Sequence, residues 1–364
     1  MRKNFLFVYT ILTFFCTVNA WSQPFDEKGG YSLEAENFYL QATALHDSGD
    51  LETAAEYYME TTNANPAHAK AWYNLALVQY DLDNFAKSEH ALEKLMEIDS
   101  TDKAAFELYG LTQYQQGRFD RAVTAYTIAL EAGTSEVILT NRALAYAKTG
   151  RPKEALRDFD EALRLNPGDF NACLGKGIAL MELGQHQLAI SWFDQALSLR
   201  ADDALAFSNR AVAYFQTGEK DRAMEDFTRA LSKSKQSSIF LSRARCLFAD
   251  GQFDNAYYDA KEAMLLAPKD PEVAMLMAEI EQSRHHTQEA VQHYSLALDA
   301  SPNCSACYLE RAKINMQNRN FYDAISDLYE LIKNDPLNKE ARALLQSAYS
   351  QLDRENLDWM ARSN

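Results

Sequence analysis

The sequence predicts an all-α solenoid of about nine stacked helical hairpins, on three observations. A small residue returns every 33 or 34 positions, at Ala42, Ala76, Gly110, Ala143, Gly177, Ala211, Ala244, Ala278 and Ala312. A second follows each by twelve positions, at Ala54, Ser88, Ala122, Ala155, Ala189, Ala223, Ala256, Ala290 and Ala324. Between the two, six of the nine segments place a glycine: Gly49, Gly117, Gly150, Gly184, Gly218 and Gly251. Small residues at that offset let two antiparallel helices touch backbone to backbone. Glycine supplies the positive φ that a short turn between them needs, and a period near 34 marks stacked hairpins. Asp83, His285 and Arg319 take the glycine slot in the other three segments, whose turns are therefore the least well specified.

From the N-terminus, Arg2 and Lys3 precede an apolar run from Phe5 to Val18, and Val18-Asn19-Ala20 offers compact residues where a signal peptidase reads. This pattern predicts a signal peptide over 1–20, cleaved after Ala20, and export to the periplasm if the cell is a diderm bacterium. The bulky Phe14 and Phe15 ahead of Cys16 argue against acylation there. Residues 21–34, with Gln23-Pro24 and Gly29-Gly30, read as a flexible lead-in. Nine hairpins are expected at 35–68, 69–102, 103–135, 136–169, 170–203, 204–236, 237–270, 271–304 and 305–338. A large apolar residue such as Tyr58, Phe159 or Phe193 stands four positions after the second small residue and fills the space the small residues leave. Proline at 66, 167, 268, 302 and 336 ends the second helix of its hairpin. Ala341, Leu344, Leu345, Ala348 and Tyr349 give 339–353 the spacing of a capping helix, leaving 354–364 as a tail.

The repeats resemble the tetratricopeptide (TPR) family. Phe38, Trp72, Phe106, Phe207, Phe240 and Tyr308 fit its large residue early in helix A, and Asn141-Arg142-Ala143-Leu144-Ala145-Tyr146 is similar to its helix A almost letter for letter. The resemblance implies a right-handed solenoid whose inner face, lined by helix A, takes a peptide or protein partner. On this sequence the implied groove residues include Tyr39, Tyr73, Asn74, Tyr80, Tyr114 and Asn141. Tyrosine suits such a surface, since it joins a large apolar ring to a hydroxyl with few rotors to freeze; the same rings also suit the joints between neighbouring hairpins. The carboxylate clamp of chaperone-associated members is not matched. Asn74, Asn141 and Asn209 fit its middle element, but Asn171 and Gly175, Ser238 and Ser242, and Ala104 and Leu108 stand where its cations belong.

Composition and motifs narrow the function further. With 36 Lys and Arg against 52 Asp and Glu the formal net charge is −16. Without the leader's Arg2 and Lys3 it becomes −18, a surface that repels nucleic acid and anionic lipid. No phosphate loop, nucleophile elbow or metalloprotease helix occurs, so no catalytic residue, cofactor or metal is expected. His285, His286, Glu289 and His293 form the one metal-like cluster, but its first two histidines occupy a turn. Cys173 and Cys246 fit buried core positions. Cys304 and Cys307 open a helix A just after Pro302; they read first as two reduced thiols, next as an exported structural disulfide, and last as a redox-active pair. The expectation is a non-enzymatic scaffold outside the cytoplasm, soluble after signal removal, binding a protein or peptide in envelope assembly or secretion. The alternative is a structural element that self-associates into homo-oligomers.

Overall fold

The structure, a computed structural model, describes residues 33–363; the signal segment and nearly all of the lead-in lie outside them. Among the described residues every regular element is a helix, and the chain divides into two compact units, the first ending at Ser100 and the second beginning at Thr101. Unit 1 holds two hairpins, α1 (Leu33–Ser48) with α2 (Leu51–Ala64) and α3 (Ala69–Asp81) with α4 (Phe85–Ile98). Unit 2 holds seven more and a final helix. Its hairpins are α5 (Lys103–Gln115) with α6 (Phe119–Glu131), α7 (Glu136–Lys148) with α8 (Pro152–Leu165), and α9 (Phe170–Glu182) with α10 (His186–Leu199). Then come α11 (Ala204–Gln216) with α12 (Lys220–Lys233), α13 (Ser237–Ala249) with α14 (Phe253–Leu266), α15 (Pro271–Ser283) with α16 (Thr287–Ala300), and α17 (Ser305–Gln317) with α18 (Phe321–Asn334). The last helix, α19, runs Lys339–Ser363, ten residues past the end expected from the sequence. No glycine or proline interrupts 339–363, so nothing in the sequence stops the helix at 353.

The spacing of small residues becomes packing. Every small residue of the two series is fully buried wherever it is alanine, and so is Ser88. Against them lie the large side chains four positions after the second small residue: Tyr58, Leu92, Tyr126, Phe159, Phe193, Phe227, Tyr294 and Leu328 all have 0–1% exposure. Two glycines show how close this approach is. A Cβ on Gly110 would stand 2.5 Å from the Tyr126 ring, and one on Gly177 would stand 2.4 Å from the Phe193 ring. The helix crossing therefore admits an aromatic ring only where the facing residue has little or no side chain.

Each hairpin turn closes in one way. At the first, the N–H of Gly49 donates to the carbonyl of His46 and that of Asp50 to Leu45, the paired bonds of a Schellman motif. The same pair recurs at all nine turns, and Asp83, His285 and Arg319 adopt φ of 58°, 64° and 64° beside glycines at 69–87°. The turn thus forms without glycine, at the steric cost of a Cβ in the left-handed region.

Candidate functional site

In unit 2 successive odd-numbered helices from α5 to α15 touch one another as well as their own partners, as α17 does α19, whereas no even-numbered helix packs to the same extent on the next even one. The odd helices therefore lie on the inner side of the stack. Side-chain caps set their starts: Asp169 accepts the N–H groups of Asn171 and Ala172 at 2.8 and 3.2 Å, and Asp203 accepts that of Ala206 at 2.8 Å. Helix phase then decides which residues face inward. On α9 Leu174, Ile178 and Met181 fall at i, i+4 and i+7, and Leu144 of α7 with Val212 and Phe215 of α11 extend the row. All six are half-buried and rest on the unit 2 core. Beside them stand three half-buried amides, Asn141, Asn171 and Asn209. Asn209 donates to the carbonyl of Leu205 at 2.9 Å, while the side chains of Asn141 and Asn171 bond no described residue.

Further along unit 2 the inner side changes character. Arg245 pairs with Glu272 at 2.8 Å, and Lys313 with Glu310 and Glu340 at 2.8 and 2.9 Å. Burial pushes the Glu279 carboxyl above its ordinary range, with Arg245 opposing and Glu310 adding to the rise. This stretch is already occupied by its own charges.

The residues the sequence put forward for the groove are dispersed in role. In unit 1 the Asn74 amide donates to the hydroxyls of Tyr39 and Tyr58 at 3.3 and 3.2 Å, and Tyr58 donates to the Thr43 hydroxyl at 3.4 Å. The Tyr39 ring lies 4.7 Å from that of His68, and burial raises the Tyr58 hydroxyl pKa. Tyr39 and Asn74 therefore join the first hairpin to the second. Tyr80 packs its ring edge-on against Phe85 at 5.5 Å, and in unit 2 Tyr114 does the same with Phe119 at 5.1 Å, so both rings brace a hairpin at its turn. Tyr73 is half-buried on α3. Asn141 keeps an amide with no bond to any described residue. Cys304 and Cys307 are brought together as a disulfide, and Cys173 and Cys246 are buried free thiols. No group of three or more His, Cys, Asp or Glu side chains among the described residues is arranged to hold a metal, and no described helix is long and apolar enough to cross a membrane.

One set of residues escaped the sequence reading. Arg142, Arg210, Arg243 and Arg311, each on the first helix of its hairpin, bind Asp158, Asp226, Asp259 and Asp327 on the second through two parallel bonds of 2.6–3.0 Å. The hydrogen bond to Asp158 raises the pKa of Arg142; burial lowers that of Arg210, and its bonds to Asp226 and Asp194 more than offset the effect. A constant spacing of sixteen residues was the available signal, hidden because carboxylates are common throughout the chain. The fifth hairpin varies the device: Lys176 stands in the arginine slot, its ammonium 3.7 Å from the centre of the Trp192 ring that replaces aspartate.

The family model for the tetratricopeptide repeat matches residues 39–103, 80–137, 140–204 and 193–238, together more than half of the chain. The chain belongs to the tetratricopeptide repeat family. Among solved structures, a TPR protein of Parabacteroides merdae superposes with a TM-score of 0.59 at 20% identity, over 68% of this chain and 99% of that one. The Cut9-Hcn1 hetero-tetramer of the APC/C gives 0.56 at 16% identity, over 88% and 77%. At these identities the likeness is one of fold. Among curated proteins, the mitochondrial import receptor subunit TOM70 of Rattus norvegicus is 29% identical over 107 residues, 28% of this chain and 17% of its own length. A TPR repeat-containing protein of Methanocaldococcus jannaschii is 27% identical over 153 residues, 37% and 26%. The chain thus spans about a quarter or less of these relatives. TPR domains are protein-interaction scaffolds, typically without enzymatic activity, and the two-helix hairpins of this chain are TPR hairpins.

Proposed function

We propose that this TPR chain acts outside the cytoplasm as a scaffold that holds an extended segment of a partner protein along the inner side of α7, α9 and α11. The observation that carries the reading is the half-buried apolar row Leu144, Leu174, Ile178, Met181, Val212 and Phe215 beside the unbonded amides of Asn141 and Asn171. Desolvating those side chains favours binding, and the amides can hydrogen-bond a partner backbone without selecting its sequence. The predicted Tyr73 and Tyr80 of unit 1 belong to the proposal as a second contact region, weaker because Asn74 beside them is bonded to Tyr39 and Tyr58. The extracytoplasmic setting rests on Arg2, Lys3 and the Phe5–Val18 run; intact mass of the native protein tests it, and a mass that includes residues 1–20 overturns it.

Capture of a partner from envelope extract by the full-length mature chain tests the site. Replacing Leu174 and Ile178 by Asp should lower capture by about tenfold or more, the size of a hot-spot pair, while helicity stays unchanged. Equal capture by that folded variant, with loss on replacing Tyr73 and Tyr80 by Ala, moves the site to unit 1. Self-association is favoured by a separate observation, Tyr258 and Leu265 seven residues apart on α14 and 65% and 68% exposed. Light scattering decides that reading, because a mass that stays at that of the monomer at every concentration excludes it.

A further inference from the structure

The connection from α16 to α17 holds chemistry that binding on the inner face does not use. The two joined sulfurs of Cys304 and Cys307 have unlike surroundings. Cys307 is buried among Ala274, Ala278, Tyr294, Ala297, Leu298 and Ile314. Cys304 is half-exposed and caps the N-terminus of α17, where its sulfur accepts the backbone N–H of Cys307 at 3.2 Å. An aimed N–H group and the positive end of a helix both favour negative charge on that sulfur. Such charge appears only when the disulfide opens. A stabilised thiolate leaves readily in exchange and favours the reduced pair over the disulfide.

We propose that Cys304–Cys307 is a reversible thiol–disulfide exchange site for a protein dithiol, with Cys304 the sulfur that forms the mixed disulfide. A partner thiolate attacks Sγ of Cys304, the Cys304–Cys307 bond breaks, and Cys307 leaves with the electron pair and takes up a proton. Cys307 lies buried among apolar side chains, surroundings that disfavour a thiolate there. Cys307 therefore competes poorly for the mixed disulfide. The partner's second thiolate attacks the partner sulfur bonded to Cys304, and Cys304 leaves as the thiolate that the N–H of Cys307 holds. The partner dithiol loses two electrons and becomes a disulfide; the cysteine pair gains them. The partner's two thiol protons pass to solvent, one returning to Cys307.

The test uses the full mature chain with dithiothreitol as the dithiol and oxidised glutathione as the disulfide, read by alkylation and peptide mass. Dithiothreitol should reduce the pair in the folded protein while Cys173 and Cys246 stay unalkylated. In the reduced chain near pH 6.5, Cys304 should react with iodoacetamide about tenfold faster than it does in urea, where the helix is gone. Cys307→Ser should hold glutathione on Cys304, and Cys304→Ser should lose that adduct. A pair that is reduced only after unfolding, or a Cys304 no faster in the folded chain than in urea, overturns the proposal. Both of those measurements use the wild-type chain, so they decide even where a variant folds poorly.

Discussion

At the residue scale the recurring device is the pair that joins the two helices of one hairpin. Four hairpins build it from Arg and Asp sixteen residues apart, and one builds it from Lys176 and Trp192. In the eighth hairpin the same two slots hold Met277 and His293. Met277 has no donor to offer, and the buried Nδ1 of His293 has no hydrogen-bond partner among the described residues. Two predictions follow from this contrast. Asp259→Ala leaves Arg243 without its bidentate partner and should cost about 3 kcal/mol, the lower end for a broken buried pair because the guanidinium still reaches water. Replacing Arg243 and Asp259 together by Met and Leu should cost far less, and urea denaturation of the three proteins checks both statements. For His293, burial lowers the pKa below the ordinary 6.5, with Glu281 and Glu289 opposing. The unfolded chain then binds this proton more readily than the folded one, so the stability His293 contributes is present above pH 6.5 and lost as pH falls through the lowered value. His293→Leu should flatten that part of the fall, measured as the difference in melting temperature from wild type between pH 7.5 and pH 5.5. None of this was legible residue by residue, since one Asp in an acidic chain carries no information; only the repeated interval did.

At the scale of the element, what the sequence made legible was what the backbone forces. The small residues at the helix crossing, the prolines two residues beyond α2, α8, α14, α16 and α18, and the large residue filling each crossing all follow from sterics, which act locally and leave few solutions. The turns without glycine were less legible, because the paired hydrogen bonds that close them do not depend on side-chain identity. Their price appears in φ. His285 is exposed at φ 64°, so His285→Gly removes a Cβ from the left-handed region and loses no buried contact. The substitution should stabilise the chain by up to about 1 kcal/mol, part of the steric gain being offset by the greater freedom of glycine in the unfolded state. Chemical denaturation of the single variant measures it, and a destabilised variant contradicts this account of the turn.

For the molecule as a whole, the proposed binding face and the joints that hold the stack draw on the same residues, which limits what the sequence can say about the site. Tyrosine and asparagine on a first helix meet the needs of either role: Asn74 went to a joint between hairpins, while Asn141 bonds no described residue. The difference lies in contacts made some 35 residues away in sequence, beyond any local pattern. Stability shares this distributed character. Unit 2 is held by successive apolar clusters rather than one core: Leu180, Ala189, Ile190, Phe193 and Ala213 form one, and Ala274, Ala278, Tyr294, Leu298 and Ile314 belong to another. Each hairpin stabilises chiefly its neighbours, so damage should stay near its origin. Ala189 is fully buried where α10 crosses α9, and Ala189→Leu forces three extra carbons into a filled crossing at a cost of about 1–3 kcal/mol. Hydrogen exchange should then quicken in α8 to α11 while α15 to α18 keep wild-type protection. Equal loosening of every helix in unit 2 would mean that its hairpins unfold as one cooperative block, and the local account of this stack would have to be given up.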